Sequence, residues 1–345
     1  MLAMNRAAMR VAVIGAGIAG ASCARQLASA GVEVQVFDKS RGVGGRLTTR
    51  RMDWPGADSQ AAFDHGAPAF TAHAPAFAEF AAQAARDGIL APWPARAAPG
   101  SRPRLEQGTL WTPTPDMPAL CRALLADLPL ELNCQIDALR RAPDGWRLEA
   151  KGETVARGYA AVVIAIPPAQ AAALLEPHQP EWARQALALP MLPGWTLMGL
   201  ASEAGAAEEW DIAWPDKGPL ATVVRNHTKP GRQGIAGQCH WVAHAGSDWS
   251  ARHLEAPAAQ VQAELQQALA DWLGWTPDWR YAAAHRWRYA SAPAAAAARP
   301  CWWDADTSVG VCGDAWGGGG VEGAWLSARV LASAIAGGGG GGGAA

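Results

Sequence analysis

VAVIGAGIAG, residues 11–20, runs from an apolar strand pattern into a Gly-x-Gly-x-x-Gly turn and on into an Ala-rich helical stretch. The three glycines answer three different demands. Gly15 permits the tight turn after the strand, Gly17 lets the backbone approach a pyrophosphate, and Gly20 lets the helix lie close to the sheet. The helix start, with Ile18 and Ala19, turns backbone N–H groups and the positive end of the helix dipole toward the phosphates. The helix reaches about Ala30, Gly31 ends it, and residues 32–37 alternate as a second strand. Asp38 follows, 23 residues after Gly15. A carboxylate there accepts hydrogen bonds from ribose hydroxyls and repels a 2′-phosphate, which points to FAD or NAD rather than NADP.

A secretory signal peptide is the competing reading of this segment, because Arg6 and Arg10 precede an apolar stretch rich in small residues. Cleavage would delete the first strand and the phosphate loop together. The opening MLAMNRAA reads as a poorly ordered leader. With 345 residues, half of them hydrophobic, and a net charge of −2, the chain has enough apolar material for about two domains and no nucleic-acid footprint. Six cysteines without a CxxC pair read as reduced thiols of a cytoplasmic protein. The longest uncharged run, 158–175, is cut by Pro167 and Pro168 into a buried strand and a short helix, so no membrane span is expected. Of 18 tryptophans, 14 lie between Trp182 and Trp325, and most of these are expected to build core. No His-Glu-x-x-His or Gly-x-Ser-x-Gly pattern occurs, so neither a metal site nor serine chemistry is indicated.

The loop KSRGVGGRLTTRR after Asp38 brings a second glycine pair, Gly44 and Gly45, and Arg46, whose charge would offset a pyrophosphate. Periodicity predicts helices over 75–86, 117–128, 256–273 and 321–336. It predicts strands over 130–139, 146–150, 162–166, 195–201, 221–226, 238–245, 279–289 and 307–312, with a loop over 316–320. The fold class that follows is α/β, α+β overall: a Rossmann-type domain from residues 1–75, 105–167 and 301–336, and a second domain from 76–104 and 168–300 built on a mostly antiparallel sheet with helices. The Gly-rich tail, 337–345, is expected to be disordered.

The chain resembles the FAD-dependent amine-oxidase superfamily and, within it, the bacterial renalase-like NAD/FAD-dependent oxidoreductases. The resemblance rests on VAVIGAGIAGASCARQL, FDKSRGVGGRLTTRR, FDHGAPAFTAH, HTKPGR, WVAHAGSDWSARHLE, HRWRYA and VCGDAWGGGGVEGAWLSARVLA. It implies non-covalent FAD extended along the first domain with its ring facing a pocket under the second. The ADP half would be held by Gly15, Gly17, Gly20, Asp38, Lys39, Gly44, Gly45, Arg46 and Leu47. Ile136 would pass near the adenine, Gly313 and Asp314 near the ribityl chain or pyrophosphate, and Gly66 and Ala67 by the ring. Glu322, Gly323 and Ala324 would set the last helix's N-terminus at the flavin N1–C2=O edge.

On the substrate side the resemblance implies His244 and Trp287, with Arg286, Arg288 and Tyr289 as neighbours. Pro68 and Gly320 depart from the family's usual residues, which leaves substrate choice open. The implied reaction is oxidation of 2- or 6-dihydro-NAD(P) by hydride transfer to flavin N5, with electrons passed to O2 and H2O2 released. A flavin amine oxidase acting on a small amine or polyamine, and a non-catalytic FAD-binding redox sensor, stand as alternatives. The lysines Lys39, Lys151, Lys217 and Lys229 lie outside any context matching the flavin lysine of amine oxidases.

Overall fold

A computed structural model describes residues 9–53, 60–102, 108–202, 209–293 and 297–337. The leader expectation and the tail from residue 338 lie outside these residues, while Gly337, expected in the tail, ends the last helix. The chain divides into two compact units, the first comprising residues up to 45, 121–191 and from 292, the second 46–120 and 192–291.

The first unit is built on a six-stranded sheet in the order Trp302–Asp304, Val309–Val311, Ala161–Ile164, Arg10–Ile14, Glu33–Phe37, Leu130–Glu131. All neighbours run parallel except the Trp302–Asp304 edge strand. Val11, Ala12, Val13 and the whole Ala161–Ile164 strand are fully buried, as unbroken apolar runs in a covered parallel sheet require. The helix Ile18–Ser29 joins the first two strands, and the helix Gly320–Gly337 packs against it. A three-stranded antiparallel sheet, Ala138–Ala142, Gly145–Ala150 and Glu153–Tyr159, adds Leu139, Trp146, Leu148 and Tyr159 to the same core. Pro167 and Pro168 cut the uncharged run as expected, leaving the buried strand and the helix Pro168–Leu175.

The second unit has a five-stranded antiparallel sheet in the order Ile212–Ala213, Leu220–Arg225, Gln238–Ala245, Leu192–Ser202, Trp279–Ser291. Side chains alternate between two buried faces. Leu197, Ala201, Trp241 and Ala243 meet Val261, Leu265 and Leu269 of the helix Ala258–Leu273. Met198, Leu200, Val224 and Val242 meet Phe63 and Trp93 on the other side. Tryptophan packing is explicit there, with Trp210 against both Trp241 and Trp272 at centroid distances of 5.7 and 5.5 Å.

The mixed α/β architecture with a Rossmann-like first unit agrees with the expected fold class. The unit bounds differ from those read from composition: 46–75 and 105–120 fall in the second unit, and 168–191 and 292–300 in the first. The helices Pro168–Leu175 and Pro180–Ala188 belong with the first because Ala171, Leu175, Ala183 and Ala186 pack into its core. Two elements are shorter than periodicity suggests: the helix expected over 117–128 spans Ala119–Leu124, and the strand expected over 130–139 is only Leu130–Glu131 before an irregular stretch. Of the loop expected over 316–320, Trp316 and Gly317 instead end a short helix, Asp314–Gly317, and Gly320 begins the last helix. Among the described residues no helix is long and apolar enough to cross a membrane, and the six cysteines are unbridged.

Candidate functional site

In the first unit the glycine turn behaves as three separate constraints. Gly15 has φ +110°, its N–H donates to Phe37 O at 2.7 Å, and a Cβ there would stand 2.4 Å from Ala165 O. At Gly20 a Cβ would stand 1.8 Å from Gly15 O, so helix and turn touch backbone to backbone. Gly17 is different. Its extended φ −75°, ψ −178° suits any residue, and the nearest atom to an added Cβ is Gly44 O at 3.8 Å. Among the described residues no neighbour demands glycine at this position, which leaves room in front of the helix for a ligand that approaches the backbone closely. No side chain caps the helix Ile18–Ser29 at this end, where Gly17 is the N-cap residue and Ile18 and Ala19 the first two helical residues. This opening fits a pyrophosphate.

Asp38 holds the turn in place as well as lying beside it. Its Oδ2 accepts the Ala16 N–H at 2.6 Å and its Oδ1 the Ser40 N–H at 2.7 Å. Gly44 donates to Ala16 O at 2.9 Å and bridges Gly17, so the second glycine loop folds back on the first. Gly44 and Gly45 both have positive φ, +111° and +58°, which explains the pair. Asn133 and Cys134 donate to Ser40 O and Asp38 O, which brings the stretch leading to buried Ile136 alongside; Ile136 itself lies outside any strand. Lys39 Nζ donates to Gln170 Oε1 at 3.1 Å.

The pairings Ile14 with Phe37, Ile14 with Ile164 and Ile164 with Val311 align the carboxyl ends of four neighbouring parallel strands. Asp38, Gly15, Ala165 and the Gly313-Asp314 pair follow from that edge, the place where open α/β sheets bind ligands. Gly313 donates to Ser327 Oγ at 3.0 Å, and Asp314 is buried at the start of its short helix. Gly323 and Gly317 cross closely, a Cβ on Gly323 falling 2.7 Å from Gly317 O. Glu322 lies in the first turn of the last helix and Ala324 is buried.

Arg46, Leu47, Gly66 and Ala67 lie in the second unit. Arg46 Nη1 donates to Ala290 O at 3.3 Å, and its own carbonyl accepts the Ala67 N–H. Gly66 is required by packing, since a Cβ would stand 1.9 Å from Arg46 O. Leu47 is buried.

The second unit gathers an aromatic wall around Trp287. Alternation along the strand Trp279–Ser291 puts His285 and Trp287 on one face and Arg286 and Arg288 on the other. Both arginines pair with Glu255. The Trp287 ring stacks on His65 at 5.3 Å, His285 stands edge-on to both, and Trp287 Nε1 donates to His65 O at 3.1 Å. His244 meets the Thr196 hydroxyl through Nδ1 at 3.2 Å, while its Nε2 and the His65 Nδ1 are screened from solvent without a hydrogen-bond partner among the described residues. Burial, with Lys229 and His65 adding, pushes His244 down to about 3. Burial also pushes His65 down to about 4, helped by His285. Both rings are neutral at working pH.

Beside this wall, Asp64 takes two cations. Lys229 Nζ lies 3.0 Å and Arg232 Nη2 2.8 Å from Asp64 Oδ2, with side-chain exposures of 0, 1 and 0% for Lys229, Arg232 and Asp64. Thr49 Oγ1 donates to the other carboxylate oxygen at 2.6 Å. Burial alone would raise Asp64, but Lys229 and Arg232 hold it below the usual carboxylate range. Burial pushes Lys229 down to about 8, still charged at neutral pH. FDHGA and HTKPGR are both visible in the sequence, but their pairing spans 165 residues and no local pattern announces it.

A family model described as "Flavin containing amine oxidoreductase" matches residues 101–336, and one described as "NAD(P)-binding Rossmann-like domain" matches residues 13–84. The chain belongs to the flavin-containing amine oxidoreductase family. Solved structures similar to it include a protein assigned as a protoporphyrinogen oxidase from Exiguobacterium sp. 255-15, with 12% identity, TM-score 0.71 and coverage of 95% of this chain and 98% of that one. Cyclohexylamine oxidase from Brevibacterium oxydans IH-35A gives 15% identity and TM-score 0.66 over 95% and 98% of the two chains. At these identities the likeness is one of fold. A 4,4'-diapophytoene desaturase of Staphylococcus aureus (strain Newman) is 47% identical over 45 residues, which spans 13% of this chain and 9% of the relative.

Proposed function

We propose that the chain is a renalase-like, FAD-dependent oxidase of dihydronicotinamide isomers, the 2- and 6-dihydro forms of NAD(P). The first unit binds FAD non-covalently through the Gly17 opening, Asp38 and the Gly313-Asp314 edge, and the second binds the substrate ring. When bound, FAD supplies the hydride acceptor that later returns electrons to O2. One dihydronicotinamide, one O2 and one proton then give one oxidised nicotinamide and one H2O2.

The observation that carries the substrate reading is the wall of neutral rings, His65, His285 and Trp287, with His244 held neutral beside it. A hydride donor of this kind needs a flat ring held in orientation and little acid–base help. Trp287 offers the stacking face, and His65 fixes the indole through its carbonyl. Amine oxidation is the second reading, favoured by the family match. It is opposed by the two buried cations on one carboxylate, which disfavour a protonated amine nearby.

The FAD-loaded protein, mixed without oxygen with 6-dihydro-NAD, NADH and a panel of amines, tests both. Fast loss of the oxidised flavin band with the dihydro isomer is the expected result. Bleaching by an amine and not by the isomer would replace this reading with the second. No bleaching by any of them would favour a redox sensor.

A further inference from the structure

Asp64, Lys229 and Arg232 form a buried triad with one negative and two positive charges. Arg232 makes four hydrogen bonds, with Nε and Nη2 on Asp64 and Nη1 on the carbonyls of Pro113 and Pro230. The Lys229 ammonium has one hydrogen bond among the described residues, to Asp64, and lies 5.6 Å over the Trp93 ring. Among the described residues one positive charge is therefore left without a carboxylate, in an interior that screens it poorly. Geometry ties this charge to the aromatic wall: Asp64, which carries both cations, is the residue before His65, and the His65 carbonyl holds Trp287. The Lys229 charge also lowers His244, and the separate charge of Arg50 lowers His65 and His285. No carboxylate other than Asp64 is placed against these rings by any contact among the described residues. His244, His285 and Trp287 are only half-buried, so the wall keeps an open side.

We infer that the His65–His244–His285–Trp287 face selects its ligand by charge, holding a neutral or anionic planar ring and rejecting a cationic one, with Lys229 as the specificity-determining residue. The inference rests on the substrate reading above and gives it a direction. A dihydronicotinamide ring is neutral and its oxidised product is a cation, so the same field that admits the substrate drives the product out. A quaternary ring nitrogen would otherwise be drawn to the π-face of Trp287. The uncompensated ammonium of Lys229 is what reverses that preference.

The test is calorimetric titration of the FAD-loaded protein with three flat probes of similar size: nicotinamide (neutral), nicotinate (anionic) and 1-methylnicotinamide (cationic). Nicotinamide and nicotinate should bind about tenfold or more tighter than the cation, the scale of one poorly screened charge interaction. Lys229→Met leaves Asp64 and Arg232 as a balanced pair, so the triad stays charge-paired. It should bring the neutral-to-cation ratio to within about threefold. Arg50→Gln, on an exposed strand, is the second variant and should reduce the ratio partially with no risk to the interior. Equal binding of nicotinamide and 1-methylnicotinamide by the wild type would overturn the inference, as would an unchanged ratio in folded Lys229→Met. Either result would leave the substrate reading standing. If none of the three probes binds the wild type, the substrate reading falls with it.

Discussion

Gly17 and Gly20 stand three residues apart in one motif, yet the structure requires them for different reasons. A Cβ on Gly20 meets the Gly15 carbonyl at 1.8 Å, whereas one on Gly17 meets nothing nearer than 3.8 Å. Gly17→Ala should therefore leave the melting temperature of the FAD-free protein nearly unchanged and weaken FAD binding by about tenfold, roughly 1.4 kcal/mol. Gly20→Ala should lower the melting temperature of the FAD-free protein itself. Thermal melts and FAD titration of the two variants side by side check this; equal loss of stability in both would remove the ligand reading of Gly17. At this scale the motif was legible because its spacing is local. The hydrogen bonds of Asp38 to Ala16 and Ser40 were not, since a carboxylate read as a ribose partner also turns out to brace the loop. Lys229 was legible only as a lysine in an unmatched context, because its meaning comes from Asp64 on a distant strand end.

Elements with strong periodicity emerged where expected. The helix Pro75–Arg86 and the strand Gln238–Ala245 coincide with their sequence patterns, the first with proline at its start, the second as an alternating run bounded by glycines. The strand Glu153–Tyr159 escaped because it is mostly exposed, with Tyr159 its one buried residue, and so carries no apolar alternation. The short helix Asp314–Gly317 escaped because glycines argue against helix, although here they serve a crossing. Gly317 and Gly323 let the last two helices meet at their backbones, which fixes where Asp314 and Glu322 begin their helices. Gly323→Ala should push these helices apart, lowering the melting temperature of the FAD-free protein and FAD occupancy together. Differential scanning calorimetry with and without added FAD reads both; a stable variant with full occupancy would show that the crossing is not needed.

Across the whole molecule, the second unit concentrates histidines held in their neutral form. Burial lowers His65, His227, His240, His244 and His285 from the ordinary value of 6.5, to about 4 for His65 and His227 and about 3 for His244. The unfolded chain takes up protons below pH 6.5 and the folded chain does not until its own lower values are reached. Stability is thus complete above 6.5 and lost as pH falls from there toward 3 to 4, with up to about 1.4 kcal/mol per pH unit for each histidine. Melting temperatures measured from pH 8 to pH 5 should stay level down to about 6.5 and then drop steeply; a flat profile to pH 5 would contradict the neutral cluster. Division into a parallel-sheet unit and an antiparallel one was legible from the change in strand pattern near Pro168, but the bounds followed packing, as the helices that join the first core show.

The Arg10–Ile14 strand has Ala161–Ile164 on one side, and beyond that strand lies Val309–Val311. Both are made long after the first strand leaves the ribosome. At roughly 5–20 residues per second, the carboxyl edge carrying Gly15 and Gly313 is completed about 15–60 s after Gly15 appears. Val11 and Val13 present an unpaired apolar edge until Ala161–Ile164 is made, about 7–30 s after them. Shielding of that nascent edge is therefore a demand on synthesis of the protein that is separate from the stability of the finished fold.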